Sequence, residues 1–268
     1  MRGKLFFKSF LFIVSVVLIS CQSEVEITLP KIINSNMVVQ RNQEVKIWGW
    51  GSGQGKVKVT INGQTKIAKV SDDSTWMVSL DPMEAGGPFE MMIIGLDTTI
   101  LDNVLIGDVW VCSGQSNMEW PLVNTNDAEA EILGADYPEI RLFTVPKNIP
   151  FAPADDIPGG AWEICSPETV PDFSAVGFFF GKEIHKEMGI PIGLINTSWG
   201  GTNVETWISS EMCAEDEEMA KMIAGIAGLD IEGIKKKKEE EMKQVRKSLG
   251  ALEYGIVDGD PIWAAENL

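Results

Sequence analysis

Apolar and polar positions alternate in short runs through residues 24–106. Val38-Val39, Val45–Trp48, Lys56–Ile61, Trp76–Leu80 and Phe89–Ile94 have the length of β-strands, and several alternate with a period of two. Turn-forming clusters separate them: Asn34-Ser35-Asn36, Gly49 to Gly55, and Asn62-Gly63. An Asn-Gly pair suits a type I′ turn, so Val57–Ile61 and Thr65–Val70 are expected to form a hairpin. Several such strands in sequence predict a small sandwich with a supporting role.

The pattern changes near Leu105. Val109–Cys112, Ile140–Val145 and Ile192–Thr197 are compact apolar strands, and Ala175–Met188 reads as a helix. Strands alternating with helices predict an α/β layer built on a parallel sheet. On the helix, Phe180, Ile184 and Met188 form an apolar stripe, which places His185 with Lys182 and Lys186 on the solvent side. Residues 209–250 are rich in Glu and Lys, with Lys235–Lys238 followed by Glu239–Glu241, a pattern of solvated helices.

The first residues follow a different rule. Arg2, Lys4 and Lys8 precede the apolar stretch Phe10–Ile19, which is short for a membrane span but right for an export signal. It runs into Leu18-Ile19-Ser20-Cys21, the pattern of a lipobox. The expectation is a leader at 1–20 and an acylated Cys21 holding the protein in the cell envelope or outside the cell. Its membrane contact would then be through that anchor alone. The net charge of −17 argues against nucleic acid as a partner. With one histidine and four cysteines, a Cys/His metal site has little support, and Cys112 reads as a small core residue. No metal or organic cofactor is expected.

Two segments carry the chemistry. In Gly107–Met118 a strand enters a tight Gly/Ser/Asn turn, and Ser116 stands where a helix should begin. Such a turn lifts a hydroxyl above the sheet edge and aims backbone N–H groups at it, the arrangement that stabilises an oxyanion. Serine at a helix start is also a common cap. In Asn196–Trp207 a second strand is followed by Gly200-Gly201, which permits close backbone approach. Trp199 and Trp207 offer flat faces to a sugar ring, or to the core.

Gly114-Gln115-Ser116-Asn117-Met118, with Ser198-Trp199-Gly200-Gly201-Thr202 leading to Glu205 and Trp207, resembles the sialate O-acetylesterase family of SGNH-type hydrolases. Asn36–Arg41, Ile47-Trp48-Gly49, Phe173–Gly181 and Pro191–Ile195 extend the likeness in the same order. The resemblance implies an SGNH-hydrolase-like parallel sheet flanked by helices, preceded by a small all-β sandwich-like domain. On this reading a leader covers 1–20, the sandwich 21–106 and the esterase part 107–268, with the charged helices at 209–250 as an insert.

It further implies that Ser116 attacks an acetyl ester and that its own N–H helps hold the oxyanion. Gly200 or Gly201 adds a second donor, and Gln115 is a further candidate. Asn117, Thr202, Glu205 and Trp207 become supporting or sugar-facing residues. Gly177 is either a second motif glycine or a helix-packing one.

The implied substrate is an O-acetylated sialic acid, with acetylated xylan or another glycan as alternatives. A non-catalytic glycan-binding lipoprotein and a lipid esterase are the competing classes. The family's Asp/His pair has no counterpart in this chain, and the chain is expected to be a fragment that is nearly inactive alone.

Overall fold

The computed structural model describes residues 25–53, 55–149, 153–227 and 229–250. The expected leader, Cys21 and residues 251–268 lie outside them. The strands are β1 (Glu26–Thr28), β2 (Val38–Gln40), β3 (Val45–Ser52), β4 (Lys56–Ile61), β5 (Gln64–Lys69), β6 (Thr75–Leu80), β7 (Gly86–Ile94) and β8 (Thr98–Cys112). After β8 come α1 (Ser116–Glu119), α2 (Ala128–Leu133), β9 (Tyr137–Thr144), β10 (Glu163–Cys165), α3 (Ala175–Met188) and β11 (Ile192–Asn196). The charged segment forms α4 (Ser210–Cys213), α5 (Glu217–Ala227) and α6 (Ile231–Gly250).

The first part is two sheets face to face. One has the order β1-β3-β6, and β5-β4-β7-β8 belongs to the other. The alternation read from the sequence is the packing pattern: Val57, Val59 and Ile61 of β4 point inward against Ile47, Trp76, Val78 and Leu80. The β4–β5 hairpin turns at Asn62 and Gly63, both with positive φ, as a type I′ turn requires.

The second part is parallel. β11 lies between β9 and β8 and runs parallel to both, with antiparallel β10 outside β9. The expected domain border at 106/107 falls inside β8, which crosses it as one unbroken 15-residue strand. Its first half pairs with β7 and β2, and its second half pairs with β11. Phe143 and Trp162, from the second part, complete the sandwich core.

Two polar ties reinforce this junction. Arg141 of β9 is buried and donates to the carbonyls of Pro138, Asn36 and Asn103 and to the Asn103 side chain. Burial pushes its guanidinium down to about 10. Near the end of β2, Arg41 grips Asp108 of β8 through two nitrogens, at 2.9 and 3.1 Å.

The hydrogen bonds from Arg41, helped by Gln40, hold the Asp108 carboxyl below its ordinary value. A carboxylate with a depressed native pKa stabilises the fold above its unfolded pKa. That contribution disappears as pH falls through the native value. Asp108→Asn should therefore lower the urea midpoint at neutral pH and flatten its fall in acid.

α3 packs on the sheet differently from the expected stripe. Its buried residues are Ala175, Gly177, Phe178 and Gly181, whereas Phe180 and Met188 are 40% and 50% exposed. The reason is close approach: a methyl on Gly181 would stand 2.7 Å from Leu194 of β11, and one on Gly177 3.0 Å from the Cys112 sulfur. Gly177 is thus a packing glycine. Phe180 instead meets Trp110 edge-on, at 5.0 Å between ring centres.

Candidate active site

The paired ends of β8 and β11 build the site. Asn196 stands opposite Cys112 in register, so the turns after both strands leave the sheet edge at the same level. Backbone bonds then join them: Thr197 N–H to Cys112 O at 3.0 Å, and Trp199 N–H to Gly114 O at 2.8 Å. Gly114 has φ +134°, a conformation that favours glycine. The buried Asn196 side chain accepts both the Ser198 N–H and the Ser198 hydroxyl, fixing the second turn.

Ser116 opens α1, with Gln115 as its N-cap residue. The helix is a single turn. It therefore offers individual N–H groups rather than a macrodipole, and those of Ser116 and Asn117 have no intrahelical partner. Ser174 anchors this turn from below: its hydroxyl donates to Met118 O at 2.5 Å and accepts the Gly177 N–H at 3.1 Å, capping α3. Ser116 itself is exposed, and its hydroxyl has no partner among the described residues. It lines a hollow of about 440 Å³ with Glu119, Trp120, Pro121, Asn124 and Asp172.

Gly200 reaches this serine. A methyl on it would stand 3.4 Å from both Cα and Cβ of Ser116. Its N–H does not face open space, however, because it donates to Oε2 of Glu119. The other Glu119 oxygen pairs with Lys147 Nζ, and Lys147 lies over the Trp199 ring, 5.4 Å from its centre. Gly200 is therefore occupied here as a donor. Gly201, with φ +77°, is exposed.

Thr202 and Trp207 stand in an adjoining pocket of about 410 Å³ lined also by Lys147, Ser198, Trp199 and Thr206. The Thr202 hydroxyl donates to Trp199 O at 2.7 Å and accepts the Trp207 indole N–H at 3.0 Å. Gln115, Asn117 and Glu205 line neither hollow. Gln115 acts through its carbonyl, which accepts the N–H groups of Met118 and Glu119, and the Glu205 carbonyl accepts from Ile208. Sequence reasoning missed Glu119, Lys147 and Asp172. A carboxylate three residues after the serine was the one available signal, since it falls on the same helical turn.

No imidazole reaches Ser116. The chain's one histidine, His185, is near the end of α3, and its ring is 2.7 Å from the carbonyl of Ile190, just ahead of β11. That is the opposite edge of the sheet from Asn196 and Cys112. His185 is half-buried against Tyr137 rather than solvated, because the face of α3 that carries it turns toward β9. Among the described residues no group of His, Cys, Asp or Glu could hold a metal ion.

A hydroxyl raised between two backbone turns at the carboxyl edge of a parallel sheet defines a serine-hydrolase type of site. Sialate O-acetylesterases of Rattus norvegicus and Homo sapiens are each 36% identical to this chain over 197 residues, 66% of the chain. The crystal structure of a carbohydrate acetylesterase from Xanthomonas citri matches with a TM-score of 0.68 and 35% identity, over 69% of this chain and 43% of that one. No family model matches the chain. The chain is thus similar to the sialate O-acetylesterases, and it spans 36% and 38% of the rat and human proteins respectively.

Proposed function

We propose that this chain carries the nucleophile half of a carbohydrate O-acetylesterase, acting on O-acetylated sialic acid through an acetyl-serine. The observation that carries the reading is the exposed Ser116 hydroxyl, set against Gly200 between two turns tied together at the sheet edge. Ser116 Oγ attacks the acetyl carbonyl carbon while its proton passes to a base. The resulting oxyanion lies near the free N–H groups that open α1. The carbon–oxygen bond to the sugar then breaks, and the sugar oxygen takes the proton. Water cleaves the acetyl-serine to acetate and restores the hydroxyl.

Glu119 and Asp172 border the hollow, but no imidazole does. Imidazole added from solution can stand in for the base. The chain incubated with an activated acetyl ester and imidazole should show, by mass spectrometry, one acetyl group on the peptide containing Ser116. Failure of that adduct to form with imidazole present would sink the esterase reading.

The acidic chain is further proposed to work at a membrane surface, tethered by a lipid on Cys21. The mass of Cys21 in protein isolated from its native host tests this, and an unmodified thiol there rejects it.

A further inference from the structure

Glu119 and Lys147 stand between two hollows. Glu119 lines the one with Ser116, Lys147 lines the one with Trp199 and Trp207, and the two side chains form an ion pair. Among the described residues that line the tryptophan pocket, Lys147 alone is charged. The rest of the lining is aromatic, aliphatic or neutral polar, with hydroxyls from Thr202 and Thr206 among it. Flat rings, hydroxyls and one cation together suit a sugar that carries a carboxylate. In a chain of net charge −17, that cation also offsets the repulsion an anionic ligand meets.

The same carboxylate that holds Lys147 also holds the Gly200 N–H, the backbone donor packed against Ser116. The two contacts are coupled. A ligand carboxylate that replaces Glu119 on Lys147 loosens Glu119, and a loosened Glu119 gives up the Gly200 N–H to the ester carbonyl. We propose that Lys147 is a specificity-determining residue: it takes the carboxylate of an acidic sugar in the Trp199–Trp207 pocket, and the exchange with Glu119 opens the Gly200 donor. This rests on the esterase reading above and adds the group that selects its substrate.

The test uses two ligands that differ at the carboxyl group alone: an O-acetylated sialic acid and its methyl ester, which carries no charge there. Calorimetry would measure both on the 268-residue chain and on Lys147→Met and Glu119→Gln. The acid should bind the native chain more tightly than the methyl ester does. Lys147→Met should weaken the acid about tenfold, as expected for losing one charge-assisted hydrogen bond, and so erase its preference over the methyl ester. Glu119→Gln keeps an acceptor for Gly200 but removes the competing charge, so the acid should bind more tightly than to the native chain.

Equal affinity of the native chain for acid and methyl ester overturns the assignment, as does an unchanged acid affinity in Lys147→Met. Either result leaves acetyl uptake by Ser116 intact, whereas loss of that uptake strikes the esterase reading itself.

Discussion

Alanine at position 116 will abolish acetyl uptake, bringing acetate release in the presence of imidazole down to the rate that imidazole alone produces. The loss should be complete because no neighbouring hydroxyl can substitute. Ser198 is buried and donates to Asn196 at 2.6 Å, and Ser174 is buried and donates to Met118 O. Ser113 is exposed on the same turn but lines neither hollow. Ser113→Ala should therefore keep the native rate, and the pair of variants separates a positioned nucleophile from general surface acylation. Acetate release measured at several imidazole concentrations should give a slope that depends on Ser116 and not on Ser113. An undiminished slope in Ser116→Ala would remove the serine from the reaction.

The second large effect is on stability. Gly107→Ala should destabilise the chain by about 3 kcal/mol, the upper end of the usual range for overpacking. A methyl on Gly107 would lie 2.0 Å from the carbonyl oxygen of Pro191 and 2.6 Å from its carbonyl carbon. Both are backbone atoms, so no rotamer change relieves the clash, and β8 must part from the start of β11. That separation would break the Asp108 N–H bond to Pro191 O, at 3.0 Å, and disturb the register that brings the two turns together. Urea unfolding would show the lowered midpoint. The same variant should also lose acetyl uptake below the midpoint if the strand register sets the site.

How much of this was legible beforehand differs by element. The hairpin at Asn62-Gly63 and the strand end ahead of Ser116 follow local rules, in which one dipeptide or one apolar run decides the outcome; the hairpin stands where the sequence puts it, and Val109–Cys112 is the end of a strand that begins at Thr98. The apolar pattern gives α3 its ends but not its buried face. Pattern reading weighs large apolar side chains, whereas this helix seats itself through Gly177 and Gly181 and leaves Phe180 outside. The same rotation moves His185 from open solvent to the side of Tyr137.

At the site, Ser116, Gly200, Thr202 and Trp207 were readable as motif residues. The Glu119–Gly200 bond joins positions 81 apart, and Lys147 belongs to a loop with no motif of its own. Contacts of that kind are set by strand order and register, so a chain read in one dimension does not display them.

β8 also settles how the molecule can move. A linker at 106/107 would have acted as a hinge and let the sandwich swing against the parallel sheet. A single strand hydrogen-bonded on both sides of that point bends only by breaking ladder bonds. The sandwich is thus coupled to the serine turn through one continuous paired strand rather than through a linker.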